Sequence, residues 1–101
     1  MTEGAMRLQA MATLLMENDR VRVWRYDFEP GAETGWHVHG HEYVITTLTD
    51  CALVLELPDG ERRESFIPSG SAYSRPQGTE HNVINGGPAP MSFVEVELKD
   101  A

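Results

Sequence analysis

The 101-residue sequence predicts an all-β protein, a sandwich or barrel of short strands. Three observations predict it. From Asn18 onward turn residues recur, at Asn18-Asp19, Pro30-Gly31, Pro58-Asp59-Gly60, Pro68-Ser69-Gly70, Pro76-Gln77-Gly78 and Gly86-Gly87-Pro88, and they leave little room for helices. The runs between them are rich in β-branched and aromatic residues. Residues 92–98 alternate cleanly, with Val94, Val96 and Leu98 on one face and Glu95 and Glu97 on the other.

Taken in order, residues 1–17 read as an N-terminal arm or short helix. Ala5, Leu8, Ala12 and Leu15 share a rough helical face there that would pack on a partner chain. Residues 18–101 read as one domain. Its strands are expected at 21–28, 43–49, 52–57, 62–67, 71–75, 80–85 and 92–98. The pair 52–57 and 62–67 flanks Pro58-Asp59-Gly60, a hairpin turn with Gly at a positive-φ position. There is no linker, internal repeat or low-complexity tract.

Composition narrows the partners. Eight Lys+Arg against 16 Asp+Glu give a formal charge of -8, so phosphate backbones and anionic membranes would repel the chain. An anionic small molecule is still acceptable, because a metal ion or a local Arg reverses the field inside a pocket. Cys51 is the single cysteine, so no disulfide forms within the chain, as fits a reducing compartment. The N-terminus has no basic region before a long apolar run, and no stretch approaches about 18 apolar residues. A soluble cytoplasmic protein is expected.

The candidate chemistry lies in GAETGWHVHGH, residues 31–41, which holds three of the four histidines: His37, His39 and His41. On a strand, residues i and i+2 point the same way with Cα atoms roughly 6.6 Å apart. Two imidazoles so placed can converge on one metal ion at about 2.0–2.1 Å. His37 and His39 meet that requirement. His41 shares their parity but lies roughly 13 Å from His37 along a straight strand, so it joins them only if the chain bends, most cheaply at Gly40. By itself such a pair also fits a surface feature or a hydrogen-bonded core element.

The surroundings of the pair carry a resemblance. Gly70, Pro76, Gly78, His81 and Asn85 spell G-x5-P-x-G-x2-H-x3-N, which resembles the second motif of the cupin superfamily. Gly31, His37 and His39 spell G-x5-H-x-H, which resembles the start of its first motif. The likeness covers about residues 20 to 98. More narrowly, ENDRVRVWR, GAETGWHVH, EYVI, GTEHNVIN and FVEVELK resemble small single-domain cupins of the β-alanine degradation protein BauB type.

The resemblance implies a cupin β-barrel (double-stranded β-helix, or jelly roll). It implies that His37, His39 and His81 bind one divalent metal ion, with Fe, Zn, Ni and Mn all open, and that the chain forms a homodimer. It also implies a fourth ligand, a Glu four or five residues after the second His. Here Tyr43 and Val44 occupy those positions, and Glu42 comes one residue early. A three-histidine site, a bulge at Gly40 that turns Glu42 or His41 inward, and a site without metal are the alternatives, in that order. The motif's closing Gly is also missing, with Asp50 and Cys51 in its place.

Around the histidines, Tyr43 shares their parity and is expected in the pocket as a substrate hydrogen-bonder or proton relay, the candidate catalytic residue. Tyr73 and Arg75 are further pocket candidates, the Arg suited to a bidentate carboxylate. Either Arg25 or Tyr26 must face inward. Trp36 should face away from His37, in core packing or an interface. Glu80 is expected in solvent, Asn85 at a turn or strand end, and Cys51 as a turn-end or small buried residue. Three neutral imidazoles leave an ion its full charge and open positions, which favours a small anionic organic acid. An enzyme with dioxygenase or Lewis-acid isomerase or lyase chemistry, and a non-catalytic ligand-binding or sensor module, are the two readings.

Overall fold

The computed structural model describes residues 8–99. It is built from nine strands: β1 (Met11–Glu17), β2 (Val21–Phe28), β3 (His37–Val38), β4 (Glu42–Thr47), β5 (Cys51–Glu56), β6 (Arg62–Ile67), β7 (Ala72–Arg75), β8 (Glu80–Asn85) and β9 (Met91–Leu98). They form a five-stranded sheet in the order β1-β2-β9-β4-β7 and a four-stranded sheet in the order β3-β8-β5-β6. Every named pair is antiparallel. Among the described residues no helix is long and apolar enough to cross a membrane.

Strands arise where the turn chemistry and β-branched runs require them, with ends shifted by a residue or two. The strand expected at 43–49 stops at Thr47, whose hydroxyl donates to the Pro68 carbonyl (2.7 Å) and accepts from the Ser71 backbone N–H (2.9 Å). That side chain ties the end of β4 to the turn before β7. The Pro58–Gly60 turn between β5 and β6 is a short 3-10 turn in which Asp59 as well as Gly60 has positive φ (74° and 78°).

One expectation changes. Residues 11–17, read as arm or helix, form a strand. Their backbone groups pair with β2, from Met11 opposite Asp27 to Glu17 opposite Arg22, with a bulge between Leu14 and Met16. The pairing places Ala12 and Leu14 opposite Tyr26 and Trp24, so the side chains follow a two-residue period and not a helical one. An available sheet edge outweighs the weak helical preference of a short segment. The division expected after residue 17 falls in the turn joining β1 to β2. Residues 1–7 of the expected arm, Ala5 among them, lie outside the described residues.

The core lies between the sheets. Phe28, Tyr43, Ile45, Met91 and Phe93 from the five-stranded sheet meet Cys51, Leu53 and Val83 from the other. Tyr26, Phe28 and Phe93 pack as tilted rings with centroids 5.4–6.4 Å apart, a favourable aromatic arrangement. Strand parity then carries the inner face past the core into a cavity of about 260 Å³.

Candidate metal centre

Three local structures bring the histidines together. His37 and His81 are directly opposite in the β3–β8 register. His39 comes just after β3, where its backbone N–H donates to the Thr79 carbonyl (2.9 Å) and its carbonyl accepts from Gly78 (2.8 Å). Gly78 holds φ +90°, a conformation that side chains resist, so the Gly of the second motif shapes the loop that anchors His39. The result is a set of three ring nitrogens aimed at one point: His37 Nε2 to His39 Nε2 is 2.9 Å, and His39 Nε2 to His81 Nε2 is 3.2 Å. His39 and His81 are buried, and His37 is half-buried.

The surroundings fix the rings. His37 Nδ1 lies 2.8 Å from the Gly35 carbonyl, which can only accept, so Nδ1 carries the proton and Nε2 presents its lone pair inward. Gly35 is held in turn, its N–H donating to Asn82 Oδ1 (2.9 Å). Asn82 is buried and donates to Glu33 and Glu56 (2.8 and 2.9 Å), so one amide ties the loop before β3 to β8 and β5. His39 stacks on Tyr43, ring centroids 3.7 Å apart at 18°. Burial, reinforced by the neighbouring His37, pushes the pKa of His39 down to about 4 and that of His81 down to about 3. Both are therefore neutral imidazoles at neutral pH, the form that binds a metal.

The three residues fit a metal ion. Nitrogens bound side by side to one ion at about 2.0–2.1 Å stand roughly 3 Å apart, as His37, His39 and His81 do. With His37 Nε2 bare, a single proton on His39 serves both short N···N contacts poorly, whereas a cation among the three nitrogens satisfies all of them. Among the described residues, His37, His39 and His81 are the group of potential ligands that converges.

Glu42 and His41 stay apart from that group. The chain does bend at Gly40 and His41, but the bend carries it from the four-stranded sheet to the five-stranded one. Glu42 emerges exposed, opposite Leu98 on the outer face. His41 has a buried Nδ1 without a hydrogen-bond partner among the described residues, and it lies near Glu97.

Tyr43, Tyr73 and Arg75 all line the cavity with the histidines. Tyr43 is buried, and among the described residues its hydroxyl has no partner with hydrogen-bond geometry; burial, then the Glu95 charge, raise its pKa, and Thr79 nearby offsets this slightly. The Arg75 guanidinium lies 4.8 Å from the centre of the Tyr73 ring, a cation–π contact at the cavity wall. Of the Arg25–Tyr26 pair, Tyr26 faces the cavity, and Arg25 pairs outside with Asp27 at 3.2 Å.

The structure also places Trp36, Glu80, Asn85 and Cys51. Trp36 is exposed, and its indole N–H donates to Glu80 Oε2 (2.8 Å), so Glu80 has a partner. Asn85 does end a strand, fully buried, its amide donating to the Phe28 and Ala89 carbonyls. Cys51 is buried, and burial raises its thiol pKa.

Sequence reasoning missed Glu95. The alternation of β9 shows two faces, and the acidic one is the inner one: Phe93, Glu95 and Glu97 stand opposite Thr47, Ile45 and Tyr43. The signal was present, since Phe93 shares the parity of both glutamates. Glu95 is buried in the cavity wall, and burial, with Glu97 beside it, raises its pKa to about 7.

Comparison with known proteins agrees with this architecture. A model of the cupin domain matches residues 24–97. The chain is 48% identical over 93 residues to the β-alanine degradation protein BauB of Pseudomonas aeruginosa, covering 92% of this chain and 97% of that one. Among solved structures it is similar to a cupin domain from Bordetella pertussis Tohama I, with a TM-score of 0.88 and 44% identity over 93% of this chain and 97% of that one. A Klebsiella pneumoniae protein with a double-stranded β-helix domain shares the fold, with a TM-score of 0.73 and 23% identity over 89% and 76% of the two chains.

Proposed function

The chain belongs to the cupin family, and from that premise we propose that it is a metal-dependent enzyme acting on a small anionic organic acid. The observation that carries the reading is the convergence of His37, His39 and His81 on one point in the wall of a 260 Å³ cavity. That volume lies below the about 300–1,000 Å³ typical of drug-sized sites, so the ligand is a metabolite of a few carbons. Bound there, Fe(II) supplies dioxygenase chemistry, and Zn, Mn or Ni supplies Lewis-acid chemistry.

The protein's own groups supply orientation. Arg75 offers a guanidinium fork to a carboxylate. Tyr43, stacked on His39 with its hydroxyl lacking a hydrogen-bond partner among the described residues, donates to the substrate or relays a proton. Tyr73 forms the wall beneath Arg75. The relative's name, a β-alanine degradation protein, makes short β-substituted acids the first substrates to try.

Metal analysis of protein purified without a His-tag tests the site, and O2 consumption by the Fe(II)-loaded form with β-amino, β-hydroxy and β-thio acids separates the two chemistries. Failure to take up metal under any loading condition would overturn the enzyme reading. A second reading is favoured by Tyr43 and Val44 standing where the family motif has its Glu: a non-catalytic ligand-binding or sensor module. Stoichiometric metal with tight ligand binding and no turnover would select it.

We also place the protein in the cytoplasm as a homodimer, with neither nucleic acid nor membrane as partner. The buried, unpaired Cys51 and the charge of -8 support the location and the exclusions. The dimer is supported by β1, an edge strand whose Met11, Leu14, Leu15 and Met16 are exposed. Such an edge with apolar side chains is a template for a second chain. Sedimentation showing a monomer at micromolar concentration would refute it.

A further inference from the structure

Two glutamates stand on the inner face of β9, and they differ in their partners. Glu97 accepts from Arg22 Nε at 2.6 Å and from Trp24 Nε1 at 2.8 Å. Glu95, only 6% exposed, has no hydrogen bond or ion pair among the described residues, although it lines the cavity. A buried carboxyl without a partner is costly, and an apolar side chain of that size would fill the space without the cost. The missing partner is therefore sought in what enters the cavity.

The walls around Glu95 indicate its chemistry. Its cross-strand neighbours are Trp24 on β2 and Ile45 on β4. Tyr26, Tyr73 and Phe93 line the same cavity, and Tyr26, Tyr43 and Tyr73 are near enough for their hydroxyls to feel the Glu95 charge. A carboxyl set among aromatic rings is the environment that holds an ammonium group, by a charge-assisted hydrogen bond from one side and ring faces from the others. Glu95 favours a cation, whereas a metal ion at the histidines favours an anion, so the cavity offers a partner for each charge.

We propose that the cavity wall at Glu95 is a subsite for a protonated amine, so that the ligand is a short amino acid whose ammonium meets Glu95 while its carboxylate is held at the histidine centre. The inference rests on reading the three histidines as a metal site, and it adds the second point of attachment.

Calorimetric titration tests it, using zinc-loaded protein and straight-chain acids of three to five carbons in three forms: ω-amino, ω-hydroxy and unsubstituted. The wild type is expected to bind the amino form at least about tenfold tighter than the other two. In Glu95→Gln that preference should fall below about twofold, with the unsubstituted acid bound as before. Equal affinities in the wild type overturn the proposal, as does a preference that survives the substitution. A hydroxy acid favoured over the amino acid also overturns it, since Glu95 would then serve a neutral group. If zinc binds and the unsubstituted acid binds but the amine adds nothing, the subsite fails while the metal reading stands. If zinc does not bind, propylamine titrated into the metal-free protein decides: Glu95-dependent binding supports the subsite although the metal reading has failed, and no binding overturns it. Should Glu95→Gln fail to fold, Glu95→Met, apolar and of similar length, gives the same readout.

Discussion

His37 and His81 face each other as a cross-strand pair between β3 and β8, and His39 closes the triangle from the loop just past β3. A pair set by sheet register is held by the β3–β8 backbone ladder, and β8 is braced on its other side by β5, so the backbone itself sets the ring positions. Preorganisation of this kind favours tight binding, because little is left to order.

Removing either of the paired rings leaves two ligands. His37→Ala and His81→Ala are each expected to lower metal affinity by more than the about 10–100-fold typical of losing an outer partner. Metal content by elemental analysis, with circular dichroism to verify folding, checks this. Full stoichiometry in both variants would refute the site.

Asn82 acts at one remove. Its amide holds Gly35, whose carbonyl orients His37. Asn82→Ala should therefore weaken metal binding by about 10–100-fold while leaving all three ligands in place. Competition against a chromophoric chelator measures the change, and unaltered affinity would remove Asn82 from the site.

Glu42 gives the opposite expectation. It is exposed on the outer face, opposite Leu98. Glu42→Gln should bind metal with wild-type affinity in the same competition assay. A loss of tenfold or more would mean that Glu42 turns inward when the ion binds.

Glu95 makes stability depend on pH. In the metal-free protein its folded pKa, about 7, lies above the ordinary value of 4.5. Burial is the main cause, Glu97 beside it on β9 adds to it and Arg22 on β2 opposes it; the Glu95 charge in turn raises the pKa of Tyr26, Tyr43 and Tyr73, whose hydroxyls face it. Below pH 4.5 both states are protonated and the group contributes nothing to the difference. Between 4.5 and 7 the unfolded chain ionises first, so stability falls as pH rises, by about 3 kcal/mol at most, and is then level. His39 and His81 act the other way, with stability lost as pH falls from 6.5 toward 3–4. Denaturant unfolding of wild type and Glu95→Gln from pH 4 to 8 isolates the Glu95 part as the difference between the two curves. The variant should gain on the wild type as pH rises, and a flat difference would show that Glu95 ionises normally.

The site was legible in part for identifiable reasons. His37 and His39 announced themselves by two-residue spacing, and His81 by its place in a motif whose Gly78 shapes the loop that holds His39. The departure at Tyr43 and Val44 also showed in the sequence. Whether Gly40 would turn Glu42 inward did not, because a bend can rotate a strand or pass it between sheets, and local sequence does not distinguish the two. The strand at Met11–Glu17 was hidden because its exposed residues carry no alternation, and only the free edge of β2 selects the extended form.

Alone, the sequence determined what is local and periodic: short strands, their turns, the parity of each strand, and histidines spaced for one ion. Tertiary structure decided which face of each strand is inside. Parity states that Glu95 and Val94 point in opposite directions, but the inner face is the one that meets the other sheet, and that depends on contacts distant in the chain. In β9 those contacts turned Phe93, Glu95 and Glu97 inward and left Val94 and Val96 on the outer face. The buried carboxyl follows from this choice: parity joins Glu95 to Phe93, and the packing of the sheets puts both inside.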